Sequence, residues 1–466
     1  MEKVFVILAI LGAISFLSGS LSFFVIGVHP SNGTISAMTF TTPVLPAISI
    51  FSVITALLTY NQKPNATLLA SIMALSVWSI ALSTVNIITY CYIFISNNYF
   101  NTAPQCILFI VNIATALGIS GLSCLSVNRY YKSLSACNDY ERCSGWVRYY
   151  WTDEFCCTGS NQYYGSVGQG QVIASITLLV SSIVGLFGEN SVFPMLFILA
   201  GTCLLTAGIL GIITSKLQLP DAGIWFLTFS RAGGCGCWVS VMCNVIFIVH
   251  AKEYSRWNTA TSLVIFAFTA ISSIAGFFLS VSVEVIIGSR LGMHKYDPVK
   301  NGEPWQGYSQ ALKTKQFVLC FILTLCGCIF IAITFLTAIL LHAAPFVLFT
   351  SLTSYFLIAA GRTAGNILKR KNVSIHSCYL VLCSMSSFCL AANFVLSIHQ
   401  LLLWILIDKS PHKSPAFMII DLVNIGVSLF CLFATLYSVY IYGNEVTKDV
   451  LTEEADAASE VRKDLL

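Results

Sequence analysis

From Gln316 to Leu341 the chain reads QFVLCFILTLCGCIFIAITFLTAILL, without a single charged residue. A helix of about 20 apolar residues crosses the hydrocarbon core of a bilayer, where every backbone N–H and C=O must find its partner inside the segment. A water-soluble domain can bury such a run only if polar sequence surrounds it, and here the surroundings are equally apolar. The 466 residues are 56 % hydrophobic and 9 % charged, with a mean hydropathy of +0.81. Soluble domains carry about 25 % charged residues. The expected fold is therefore all-α: a polytopic integral membrane protein. Its net charge is +4, without the basic tract that nucleic-acid binding requires.

Twelve runs reach spanning length, among them 39–60, 105–127, 171–188, 316–342 and 344–361. Positive charge sets their orientation. Clusters such as Arg129, Lys132, Arg142 and Arg148, or Arg362, Lys369, Arg370 and Lys371, fall in alternate loops. Only Lys252, Arg256, Lys409 and Lys413 fall in the loops between them. The positive-inside rule then predicts both termini in the cytoplasm, with the plasma membrane as the expected location. The opening MEKVFVILAILGAISFLSGS resembles a cleavable signal peptide, but its apolar stretch continues through LSFFVIG, which favours a retained first span.

The long basic loops follow the fourth and eighth runs, which divides the chain into units at 1–170, 171–315 and 316–443, with a polar cytoplasmic tail at 444–466. The second run of each unit opens at a proline, and Pro43, Pro194 and Pro345 are equally spaced. Proline is tolerated in a first helical turn because its missing N–H would be unpaired there anyway. The third run of each unit carries an asparagine followed six residues later by a polar ring: Asn86 and Tyr92, Asn244 and His250, Asn393 and His399. The fourth runs of units one and three share Val-Asn-Ile, at Asn112 and Asn424. Together these matches predict three diverged four-helix repeats.

Polar residues are costly against lipid, so each needs a partner or a role. One reading of Asn86, Asn244 and Asn393 is interhelical hydrogen bonding, with the ring beyond as an interfacial anchor; the other is a substrate or ion path. Arg231 and Glu284 lie near the same end of adjacent spans and are expected to pair, or else to reach the headgroups separately. Asp421 and His399 lie at similar depth on neighbouring spans, either as a stabilising pair or as a proton-sensitive one. Asn32, in Asn-Gly-Thr of the first outer loop, is a candidate glycan acceptor. Cys156 and Cys157, in the aromatic loop before the fifth run, are lipidation candidates if that loop lies on the membrane. No phosphate loop, His-Glu-x-x-His or Gly-x-Ser-x-Gly occurs, so neither an enzyme nor a cofactor or metal is expected.

The stretch APFVLFTSLTSYFLIAAGRTAGNILKRKNVSIHSCYLVLCSMSSFCLAAN, within residues 344–393, resembles the membrane-spanning four-domain (CD20-antigen-like) family in its second span, basic inner loop and third span. The resemblance covers this part of unit three well and the rest in outline. It implies a non-enzymatic membrane component that assembles with other membrane proteins or with itself and influences signalling or ion entry. The competing expectation is a twelve-helix solute transporter or ion channel, whose families are also built from repeats.

Overall fold

The computed structural model describes residues 2–26, 43–52, 54, 66–96, 103–144, 158–188, 193–217, 220–254, 259–288, 310–341, 347–369, 373–406 and 418–441. Everything described is helical. In chain order the helices are α1 (Glu2–Ile26), α2 (Pro43–Ser52), α3 (Ala66–Ser96), α4 (Ala103–Ser144), α5 (Thr158–Gly188) and α6 (Phe193–Leu217). They continue with α7 (Pro220–Tyr254), α8 (Thr259–Val283), α9 (Gln310–Leu341), α10 (Val347–Lys369), α11 (Val373–Leu406) and α12 (Met418–Ile441). A π-helical turn, Glu284–Gly288, prolongs α8.

Among the described residues, eight helices are long and apolar enough to cross a membrane: α3, α4, α5, α6, α8, α9, α11 and α12. The chain is an integral membrane protein. The apolar parts described for α1 and α2 are shorter, and α7 and α10 interleave Ser, Thr, Gly and an arginine with their apolar residues.

Two helices are longer than their apolar runs. α4 continues past 127 to Ser144, through a polar stretch that holds neither glycine nor proline to stop it. α5 begins at Thr158 rather than 171, although Gly159, Gly165, Gly168 and Gly170 weaken helix propensity there. Tertiary contact overrides the propensity. A Cβ at Gly168 would stand 2.8 Å from the carbonyl oxygen of Gly208, and one at Gly208 would stand 2.7 Å from that of Gly168. With no side chain at either place, α5 and α6 approach backbone to backbone. In a bilayer, where tails are as apolar as leucine, such van der Waals contact replaces the hydrophobic drive.

Neighbouring helices contact in rings. α5, α6, α7 and α8 close one, with α5 against α8. α3 and α1 both pack on α4, while Ser15 donates to the Pro43 carbonyl at 2.8 Å and Ser49 meets Ser79, which ties α2 to α1 and α3. α10 packs on α9 and α11. Asn393 reaches Asn424 and Cys326 bonds to Cys431, which brings α12 against α11 and α9.

The second and third helices of these rings meet in the middle: α3 on α6 and α7, α10 on α7 and α6, α11 on α7 and α3. Trp78 of α3 stacks edge-on against Phe356 of α10 at 5.2 Å and lies 6.1 Å from Phe229 of α7. The burial gradient follows. In the apolar stretch of α6 83 % of residues are buried, in that of α3 72 %, and in those of α4 and α12 28 %. The peripheral helices turn large apolar side chains outward, such as Ile110 and Leu125 on α4, Ile173 on α5, Ile271 on α8, Phe321 on α9 and Phe433 on α12.

Candidate functional site

The polar side chains within the helices are the places where this fold departs from simple apolar packing. Asn244 is buried and uses both ends of its amide: Nδ2 donates to the Ser240 carbonyl at 2.8 Å, and Oδ1 accepts from Thr269 of α8 at 2.9 Å. Asn393 makes a larger set. Its Oδ1 accepts from Thr350 of α10 at 3.0 Å, and its Nδ2 donates to Asn424 Oδ1 at 3.1 Å and Ser428 at 3.0 Å on α12. Asn424 donates in turn to Ser397 at 2.7 Å. Three helices are joined around one amide.

Asn86 is equally buried, at 1 % exposure, yet neither its Oδ1 nor its Nδ2 has a hydrogen-bond partner among the described residues. The reason lies on α4. Asn112 Oδ1 accepts from Ser18 at 2.6 Å, and its Nδ2 donates to Ser22 at 3.0 Å and to the Tyr90 hydroxyl at 2.8 Å. With both amide hydrogens engaged elsewhere, Asn112 does not serve Asn86 as Asn424 serves Asn393. The ring that bonds Asn112 is Tyr90 rather than Tyr92, and Tyr92 is buried among the helices. The hydroxyls of Ser83 and Thr89, three residues to either side of Asn86 on the same ridge of α3, are also buried without partners.

Arg231 and Glu284 are joined. Nε donates to Oε2 at 2.5 Å and Nη2 to Oε1 at 2.9 Å, a two-pronged geometry that suits the planar guanidinium. Nη1 adds a contact of 3.3 Å to Thr363 of α10, so the pair also fastens α7 and α8 to a helix far along the chain. Glu284 is the first residue of the π turn. Nearby, Gln171 of α5 donates to Ser230 at 3.1 Å and faces Ser280 at 3.5 Å, joining three helices of one ring. Two further polar contacts cross between rings: Trp225 Nε1 donates to Ser71 at 3.0 Å, and Thr228 meets the Cys378 thiol at 3.1 Å. Sequence reading missed these, since a tryptophan or threonine in an apolar run gives no sign of which way it points.

His399 and Asp421 are not joined by a hydrogen bond. Asp421 is fully buried and neither carboxylate oxygen has a donor, while His399 is half-buried. Ser397 takes the side of α11 that meets α12. His399 is turned about 100° from its neighbour Gln400, as successive helical residues are.

Pro194 lies in the first turn of α6 as expected, and Pro43 is helical in α2. Pro345, Asn32, Cys156 and Cys157 lie outside the described residues. The described cysteines are free thiols, and no group of three His, Cys, Asp or Glu among the described residues could hold a metal ion. Comparison with known protein families, with curated proteins and with solved structures finds no match for this chain.

Proposed function

We propose that the protein is a non-enzymatic membrane organiser or subunit of a signalling complex, built from three tandem four-helix repeats that together span the membrane twelve times. What carries the reading is the use of its intramembrane polar groups. Asn112, Asn244, Asn393, Asn424 and the Arg231–Glu284 pair all bind side chains on neighbouring helices, and such contacts make a scaffold. The peripheral helices present apolar rows suited to lipid or to other membrane helices. The repeat reading draws on the same sources: the equally spaced prolines and the rings α1–α4, α5–α8 and α9–α12 each fit it. Both termini face the cytoplasm in this reading, and the plasma membrane is the proposed location. The likeness of residues 344–393 to the CD20-antigen-like family points the same way, toward assembly with other membrane proteins.

One observation favours a second reading. Ser83, Asn86 and Thr89 form a buried ridge with unfilled hydrogen-bonding capacity, which is what a contact surface for a polar solute in a transporter would present. Reconstitution into liposomes separates the two. An organiser gives no current and no uptake of ions, sugars or amino acids above empty vesicles, whereas sustained flux of any of these overturns the proposal in favour of a transporter or channel.

A further inference from the structure

The interface between α11 and α12 carries a ladder of polar pairs in an antiparallel register that holds to within one residue. Ser387 donates to Thr435 at 2.8 Å, Asn393 to Ser428 at 3.0 Å, and Asn424 to Ser397 at 2.7 Å. From Asn393 to Ser397 four residues along α11 match four backward along α12, and from Ser387 to Asn393 six match seven. Extending the register by one more turn brings Gln400 level with Asp421. On the other flank of α12, Cys431 bonds to Cys326 of α9, a register that brings Thr337 to the same layer.

What this layer contains is unlike any other in the ladder. Asp421 is fully buried and both of its carboxylate oxygens lack a donor. The Oε1 atom of Gln400 is also buried without one. Thr337 is fully buried, and its hydroxyl already donates to the Ile333 carbonyl at 2.7 Å, so only its lone pairs remain. Each of these oxygens is an acceptor and none of them brings a hydrogen. A carboxylate removed from water costs several kcal/mol unless a proton or an opposite charge meets it.

No basic side chain among the described residues supplies that charge. Arg231 is held by Glu284. Lys315 lies in the second turn of α9 and Arg362 far along α10, at the opposite end of these helices from the level of Asp421. His399 makes no hydrogen bond to either Asp421 oxygen. The thiols of Cys326 and Cys431 lie more than two turns deeper.

We propose that Asp421, Gln400 and Thr337 form a binding site for one hard monovalent cation of the sodium class. Hard cations take oxygen ligands: carboxylate, amide carbonyl and hydroxyl. A single carboxylate beside neutral oxygens balances one positive charge, which selects against divalent ions in a medium that cannot screen the surplus. The bound ion ties α9, α11 and α12 together at the end of their ring where the asparagine contacts stop. This goes beyond the organiser reading, because equilibrium binding and flux are separate measurements.

The test is equilibrium binding of radioactive sodium to the purified full-length protein in choline chloride, with melting temperature followed on the same samples. Expected are one ion per chain, displacement by unlabelled sodium, and a saturable rise in melting temperature with sodium. Asp421→Asn loses all three. Gln400→Leu keeps the charge and weakens binding by about tenfold, and it decides the matter should Asp421→Asn fail to fold. Wild-type protein that retains no sodium and melts identically in sodium and choline overturns the site. A melting temperature that then follows pH through Asp421 alone identifies a bound proton as the counter-charge instead.

Discussion

Asn393 and Asn424 grip one another across α11 and α12: Nδ2 of Asn393 donates to Oδ1 of Asn424 at 3.1 Å, and Nδ2 of Asn424 faces Oδ1 of Asn393 at 3.5 Å. Asn112 sits in the same Val-Asn-Ile context on α4 as Asn424 does on α12, yet it turns to Ser18, Ser22 and Tyr90. One sequence signature thus serves two different bonding arrangements. A double-mutant cycle reads the first directly. Replacing Asn393 and Asn424 by leucine, singly and together, gives a coupling of about 0.6–2 kcal/mol between them, the range for polar contacts between membrane helices. Additive losses in thermal or SDS unfolding would show that the pair is incidental.

Asn86 should respond with the opposite sign. A buried amide without partners costs about 1–3 kcal/mol, and leucine removes that cost at similar size. Asn86→Leu is therefore expected to raise the melting temperature, while Asn244→Leu, which deserts Thr269, lowers it. If both fall alike, Asn86 has a partner that its surroundings among the described residues do not supply.

The Arg231–Glu284 pair predicts a graded series. Removing one partner of a fully buried pair costs about 3–5 kcal/mol. The Glu284 side chain is 36 % exposed, so an abandoned carboxylate reaches water and Arg231→Met should cost about 1–2 kcal/mol. Adding Glu284→Gln should restore part of the loss. Unfolding measurements that find the double variant worse than the single one would contradict this.

The legible part of the fold was the part set by composition and by pattern along the chain. The uncharged run at 316–341 announces a membrane helix by itself, and the ends of α7 and α8 were close enough in topology to suggest Arg231 with Glu284. Neither the π turn that begins at Glu284 nor the third contact to Thr363 follows from sequence, because both depend on how each helix is rotated about its axis. That rotation is set by contacts such as Gly168 on Gly208, where two glycines far apart in sequence must meet. The same reason hid the fate of Asn86 and of Asp421. Their burial was foreseeable, but the identity of their neighbours was not.

Those glycines give a prediction with an internal control. Gly208→Ala places a Cβ 2.7 Å from the Gly168 carbonyl oxygen, which rigid backbone cannot yield without shifting, and should cost about 1–3 kcal/mol. Gly121→Ala on α4 meets nothing within 4 Å and should be neutral, or stabilising by up to about 1 kcal/mol through helix propensity. Equal effects on melting at the two sites would mean that α5 and α6 do not approach so closely.

Orientation is checked with epitope tags. Tags placed before Met1 and after Leu466 should bind antibody only in permeabilised cells. Staining of either tag on intact cells would reverse the proposed topology.

The central claim is that the polar side chains of the helices hold the bundle together rather than line a path. Melting temperature and tracer flux of wild type and Asn393→Leu, taken on the same proteoliposomes, test it most directly. The account predicts a lower melting temperature for the variant, by the equivalent of about 1 kcal/mol, with flux at the level of empty vesicles in both. Unchanged melting together with wild-type flux that the substitution alters would contradict it.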